Sequence, residues 1–419
     1  MAAKAYSPRI ALVLSGGGAR GAYEAGVLSY LFEAMPRRLS RPLHFDLVTG
    51  TSVGAVHACY VAGSAQNEAA AERLRSIWAS LSLDAVYRLG VGDIVRLPLR
   101  LLALTLSSGA GADGAQLPAR GPGLLDTSWL RALVMDRVHW RGIRKNLEDG
   151  RLLALAVATT EVATGRTIVF VDGSQRAALE RGNDPHVFYR PARIGPRHAL
   201  ASAAIPLLFP AIRIGDAFHC DGGLRLNTPL APAIHLGADR VLVIGLRYRA
   251  SDEEIEAMRR HRDAHVANPA NLAGKALNAL LLDRVETDIE RLRLFNAVLE
   301  RGMEVYGRDF LDRINEPIVS QRGRPYRIVD SLLLSPSRDL GAMASECLHD
   351  DEGERSLVGR TLASVVARGT LGEADLLSYL FFDRAYTRRL VDLGRADAEA
   401  AADDLCAFLD PGRAVSPAP

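Results

Sequence analysis

The sequence predicts an α/β protein: a mostly parallel central sheet with helices on both faces, followed by a mainly helical C-terminal extension. Three observations predict it. Short apolar, β-prone runs recur through the first 246 of the 419 residues, separated by segments long enough for crossover helices; such alternation marks a largely parallel sheet covered on both sides. Two of the runs end in glycine-rich turns, 15–21 and 50–54, that lead into helix-like sequence. Beyond 246, apolar residues recur at helical spacing, as in Leu282, Val285, Ile289, Leu292, Phe295 and Leu299.

In chain order, strands are predicted at 10–14, 45–48, 152–158, 167–171, 218–220 and 240–246, and one more at 326–334. Leu376, Leu377, Leu380 and Phe381 form a further helical stripe. Each C-terminal helix shows one apolar face, so these helices are expected to pack on the preceding domain. The proline-rich residues 411–419 read as a disordered tail. The expected organisation is a catalytic domain at 9–246, a mainly helical extension at 247–410 and the tail at 411–419. No internal repeat is visible.

The two glycine turns carry the chemistry. Gly50-Thr51-Ser52-Val53-Gly54 has the form of a nucleophile elbow, a sharp strand-to-helix turn that exposes a serine hydroxyl. Ala55 and Ala58 follow, small enough for a helix to pack close behind it. Ser15-Gly16-Gly17-Gly18-Ala19-Arg20-Gly21 can supply backbone N–H groups at a helix start, where an oxyanion is held. The same turn fits G-x-G-x-x-G through Gly16, Gly18 and Gly21, so a dinucleotide-binding oxidoreductase is the alternative. That reading wants an acid at the end of the second strand. Asp46 stands at its start, and Gly50-Thr51-Ser52 occupies its end. A P-loop is excluded, since no Gly-Lys-Ser/Thr follows.

The nucleophile needs a base. None of the ten histidines sits in a recognisable loop signature after an acidic residue. A more conspicuous partner is Asp221, which ends a short strand and is followed by Gly222-Gly223; an ordinary Asp-Gly turn is the alternative there. His219 is two residues away on the same strand face and is the internal rival. His57, on the helix after Ser52, reads as a packing or surface histidine.

Four blocks together resemble the patatin-like phospholipases, serine lipid acyl hydrolases with a Ser-Asp dyad. They are Gly16–Gly21, Gly50–Gly54, the run Ala201-Ser202-Ala203-Ala204-Ile205-Pro206-Leu207-Leu208-Phe209-Pro210, and Asp221-Gly222-Gly223. The resemblance covers roughly 9–246. It implies a patatin-like α/β fold with Ser52 as nucleophile and Asp221 as proton acceptor, with no histidine between them. The oxyanion loop would be Gly16, Gly17, Gly18, Ala19, Arg20 and Gly21, its hole formed by the backbone of Gly17, Gly18 and Ala19, with Arg20 fixing the loop. Gly50, Gly54, Gly222 and Gly223 would shape the elbow and the aspartate turn; Gly223 stands where alanine is common. The expected substrate is a lipid acyl ester, a glycerophospholipid first. A soluble short-chain esterase or lysophospholipase is the runner-up. No cofactor or metal is called for.

Composition agrees with an enzyme. The formal charge of +2 gives no electrostatic case for nucleic acid. Cys59, Cys220, Cys347 and Cys406 show neither paired nor metal-ligand spacing. With no signal peptide and no apolar run of about 20 residues, the expectation is a cytoplasmic protein. Residues 94–106, opening on Ile94 and closing on Leu106, are leucine-rich and read as a core helix or cap over the site. The alternative is a helix resting at a membrane interface. Residues 107–123 read as a lid-like loop.

Overall fold

The computed structural model describes residues 8–86, 128–173, 187–206, 208–251, 253–254, 256, 285–322, 325–350 and 378–410. The stretches read above as an interfacial or cap helix (94–106), a lid (107–123) and a tail (411–419) lie outside the described residues, as do Leu282, Leu376 and Leu377.

Nine strands form one mixed, mostly parallel sheet. They are β1 (Ile10–Leu14), β2 (Leu47–Thr51), β3 (Ala154–Glu161), β4 (Thr167–Gly173), β5 (Val187–Pro191), β6 (Ile212–Ile214), β7 (Ala217–Asp221), β8 (Arg240–Ile244) and β9 (Asp330–Leu334). The main order is β5-β4-β3-β2-β1-β8-β9, with β7 pairing β3 and β6. The pairs β1/β2, β1/β8, β2/β3, β8/β9 and β4/β5 are parallel; β3/β4, β3/β7 and β6/β7 are antiparallel.

The strands are apolar on both faces because both faces are covered. Successive residues alternate between two cores. Leu12, Leu14, Val48, Leu242 and Ile244 pack in one with the helices Gly21–Glu33 and Val53–Gly63. Ala11, Val13, Leu47, Val241 and Val243 pack in the other with Leu230–His235 and Val285–Tyr306. Of the predicted helical stripe, Val285, Ile289 and Leu299 are buried.

The C-terminal part joins this body. β9 extends the sheet as the neighbour of β8. The helix Arg384–Ala400 lies on the helix Gly21–Glu33 so closely that a Cβ on Gly26 would stand 2.2 Å from the Val391 carbonyl oxygen.

The pairing around β3 positions the site. β2 pairs with β3 only as far as Thr51↔Ala158. β4 holds the opposite edge of β3 through Thr160. β7 therefore takes over the vacated edge, antiparallel, with Thr159↔Asp221 in register. The end of β7 meets the end of β2 head-on. Two strands were not read from sequence: β5, a half-exposed edge strand ending in Pro191, and β6, three residues long. Among the described residues no helix is long and apolar enough to cross a membrane.

Candidate active site

Ser52 follows β2 directly and stands at the N-cap of the helix Val53–Gly63, with φ 55° and ψ −126°. Positive φ is strained for a side chain larger than glycine and costs on the order of 1–3 kcal/mol. The surroundings enforce it. A Cβ on Gly54 would lie 2.4 Å from the Leu14 carbonyl oxygen, so β1 and the helix start are in backbone contact. The Ser52 N–H donates to Ser202 Oγ at 2.9 Å, and Ser202 Oγ donates to the Ala158 carbonyl at 2.6 Å. Ser202, at the end of the helix Pro196–Ser202, thus pins the elbow to β3.

Asp221 is the last residue of β7 and is 1% exposed. The Ser52 hydroxyl donates to its Oδ2 at 2.6 Å, and the Gly223 N–H donates to its Oδ1 at 2.7 Å. Its backbone is held as well: the Asp221 N–H donates to the Ala204 carbonyl, and Thr160 Oγ1 donates to the Asp221 carbonyl. Burial pushes the Asp221 carboxyl up to about 6, partly opposed by the Ser52 and Gly223 hydrogen bonds. His219 is also buried, but Nδ1 bonds Thr159 Oγ1 at 3.0 Å and the ring stands edge-on to Phe170. It bonds neither Ser52 nor Asp221. Burial lowers its pKa to about 4, so the ring is neutral.

The glycine turn is clipped at both ends. Gly16 exchanges two hydrogen bonds with Asn227, one through the backbone and one through the side-chain amide, each 3.0 Å. The Arg20 N–H donates to the Gly17 carbonyl at 3.1 Å. Among the described residues, no carbonyl accepts from the N–H groups of Gly17, Gly18 or Ala19. A short helix, Gly18–Arg20, follows and runs into Gly21–Glu33.

The Arg20 side chain is 5% exposed and points to the C-terminal part. Nε donates to Ser378 Oγ at 2.7 Å, and the guanidinium lies 4.1 Å from the centre of the Tyr379 ring. Gly18, at φ 55°, has the Tyr379 carbonyl where a Cβ would be. Arg20 therefore links the turn to a segment more than 350 residues away.

One pocket opens onto Ser52 and Gly18. Its wall is almost wholly apolar, with Val56, Trp78, Trp129 and Phe382 among the lining residues. His57 is on the wall but is committed elsewhere. Trp78 Nε1 donates to its Nε2 at 3.0 Å, so Nδ1 carries the proton and donates to Glu24 Oε2. Glu24 Oε1 accepts from the Ser15 N–H at 3.0 Å, beside the glycine turn. Glu24 is fully buried, which pushes its carboxyl up against the lowering effect of those bonds.

The arrangement brings together a serine hydroxyl on a strained backbone, a carboxylate of raised proton affinity, N–H groups that no described carbonyl engages, and an apolar slot. That is equipment for acyl transfer. Ser202, Thr160, Glu24, Trp78 and Phe382 also build the site and were not singled out from sequence. Ser202 lay within a recognised block; the others carry no local signal.

A family model described as patatin-like phospholipase matches residues 12–234, more than half of the chain. No curated protein sequence matches it significantly. Among solved structures, VipD from Legionella pneumophila is similar at 13% identity and a TM-score of 0.33, over 92% of this chain and 67% of that one. Human GIVD cytosolic phospholipase A2 is similar at 13% identity and a TM-score of 0.40, over 96% of this chain and 60% of that one. The same human enzyme in complex with methyl gamma-linolenyl fluorophosphonate gives 14% identity and a TM-score of 0.38, over 96% and 58%. The chain thus spans about three-fifths of the human chain.

Proposed function

The chain belongs to the patatin-like phospholipase family of carboxylic ester hydrolases, and from that premise we propose that it cleaves acyl esters of lipids, glycerophospholipids first, through an acyl-enzyme on Ser52 with Asp221 as general base. The observation that carries this reading is the 2.6 Å hydrogen bond from Ser52 Oγ to Asp221 Oδ2 at the mouth of an apolar pocket.

Asp221 takes the hydroxyl proton as Oγ attacks the ester carbonyl. The N–H groups of Gly17, Gly18 and Ala19 receive the developing oxyanion. The tetrahedral intermediate then collapses, and the Asp221 carboxyl returns the proton to the departing alcohol. Water, deprotonated in turn by Asp221, attacks the acyl-enzyme; the carboxylic acid leaves and Ser52 recovers its proton. A carboxylate is ordinarily too weak a base for a hydroxyl, and burial raises its affinity toward what the step needs.

The test is labelling with a fluorophosphonate and mapping of the modified residue, followed by a panel of phospholipids, lysophospholipids and short-chain esters. Label on Ser52, with phospholipid turnover exceeding that of a short soluble ester, is the expected result. Label elsewhere, or none, overturns the assignment. Turnover confined to lysophospholipids or short esters replaces the substrate class and keeps the chemistry.

A further inference from the structure

We propose that Phe382, contributed by the C-terminal part of the chain, sets the length of acyl chain that the Ser52 pocket accepts. The inference rests on the acyl-ester reading above. It concerns a residue far beyond 12–234, the part of the chain that the family model matches.

Phe382 lines the pocket that opens onto Ser52 and is 8% exposed. Its ring stacks on Trp78, with centroids 6.4 Å apart and planes 9° from parallel. It meets Trp129 edge-on at 5.8 Å and 62°. The three rings come from three distant parts of the chain and form one continuous aromatic wall. Trp78 is itself fixed by its hydrogen bond to His57. An unbranched chain led in from Ser52 must run along this wall.

The ring cannot retreat easily, because both ends of its segment are anchored. Upstream, Ser378 and Tyr379 hold Arg20, and the Tyr379 carbonyl fills the space over Gly18. Downstream, Asp383 Oδ1 caps the helix Arg384–Ala400 by accepting from the Ala385 and Tyr386 N–H groups at 2.8 and 3.1 Å. That helix is locked on Gly21–Glu33 through close approach at Gly26 and Gly394. A wall braced in this way defines a fixed volume. Each methylene that the wall excludes or admits changes binding about four-fold.

The experiment compares kcat/KM for octanoyl and palmitoyl nitrophenyl esters in the wild type and in Phe382→Ala, Phe382→Leu and Phe382→Trp, with melting curves to establish folding. The palmitoyl-to-octanoyl ratio is expected to rise about tenfold in Phe382→Ala, to rise less in Phe382→Leu, and to fall in Phe382→Trp. Phe382→Leu keeps the test valid if the alanine variant fails to fold. A second arm reads capacity without turnover: terminally brominated fatty acids of 8 to 16 carbons quench Trp78 and Trp129 in Ser52→Ala, with and without Phe382→Ala or Phe382→Leu. The longest chain that quenches is expected to lengthen in Phe382→Ala and to lengthen less in Phe382→Leu. If the wild type turns over no ester but quenching shifts in this way, the hydrolase reading fails and the pocket assignment stands. Superimposable chain-length profiles in both arms, with folded variants, overturn the assignment.

Discussion

Trp78 donates its indole N–H to His57 Nε2, and this bond decides what the histidine can do. With Nε2 occupied as an acceptor, the ring proton must sit on Nδ1, where Glu24 accepts it. His57 lies on the pocket wall near Ser52, yet it has no lone pair to offer a hydroxyl.

Glu24→Gln should therefore be destabilising although it is isosteric. With its oxygen kept on the Ser15 N–H, the amide turns its NH2 toward His57 Nδ1, forcing the ring proton onto Nε2 against the Trp78 N–H; turned the other way, the NH2 faces the Ser15 N–H. Leaving a buried donor unmatched costs about 1–3 kcal/mol. Adding Trp78→Phe removes the conflict, so the double variant is expected to lose less stability than the sum of the two single losses. Chemical denaturation of all four proteins checks this; strict additivity would refute the tautomer argument.

Ser52→Ala should abolish ester hydrolysis and leave the fold intact, since the hydroxyl fills no core space. Ser52→Gly should be equally inactive but more stable than Ser52→Ala by about 1 kcal/mol, because glycine adopts positive φ without strain. Denaturation midpoints of the two inactive proteins give the difference directly.

Asp221→Asn should slow acylation by about 10²–10⁴. The wild-type rate should fall on the acid side with a midpoint near pH 6, where the buried carboxyl titrates. That limb should survive in His219→Ala, because the imidazole bonds Thr159 and is neutral through this range. A His219→Ala protein that is folded and as inactive as Asp221→Asn would overturn the dyad.

The same carboxyl makes a stability prediction. Its folded pKa is raised, so the fold binds the proton more tightly than the unfolded chain does. The associated stability is present below about pH 4 and is lost as pH rises through about 6. At pH 8 Asp221→Asn should be the more stable protein by up to about 3 kcal/mol, and the difference should vanish below pH 4. Melting temperatures across that range test it.

Gly54→Ala should prevent the elbow from forming, since its Cβ would strike the Leu14 and Ser15 carbonyl oxygens at 2.4 and 2.6 Å. Gly195→Ala meets nothing within 4 Å and should be neutral within about 0.5 kcal/mol. Soluble expression and denaturation distinguish the two.

Much of this was written locally. β1 was read with its exact bounds, and β4, β7 and β8 within two residues at either end, because apolar runs ending in glycine are short-range signals. β2 runs to Thr51, further than its apolar core suggests, because pairing with β3 carries it up to the elbow. The expectation of crossover helices between the runs fails between β3 and β4, which pair antiparallel because too few residues separate them for a helix. β5 and β6 were missed, one being a half-exposed edge and the other too short to show a period.

By itself the sequence determined the α/β class and the family, and it singled out the residues proposed for acyl transfer, because turn glycines, an elbow serine and a strand-end aspartate are constrained by their immediate neighbours. Only the tertiary structure decided who meets whom. β7 reaches Ser52 because β2 stops one residue short along β3. The Asp221 carboxyl is raised because the assembled core excludes water from it. Arg20 and the pocket wall find Ser378, Tyr379 and Phe382 because a distant helix packs on the first one. Such contacts leave no periodicity in the chain: they arise from the closing of long loops, which side-chain spacing does not encode.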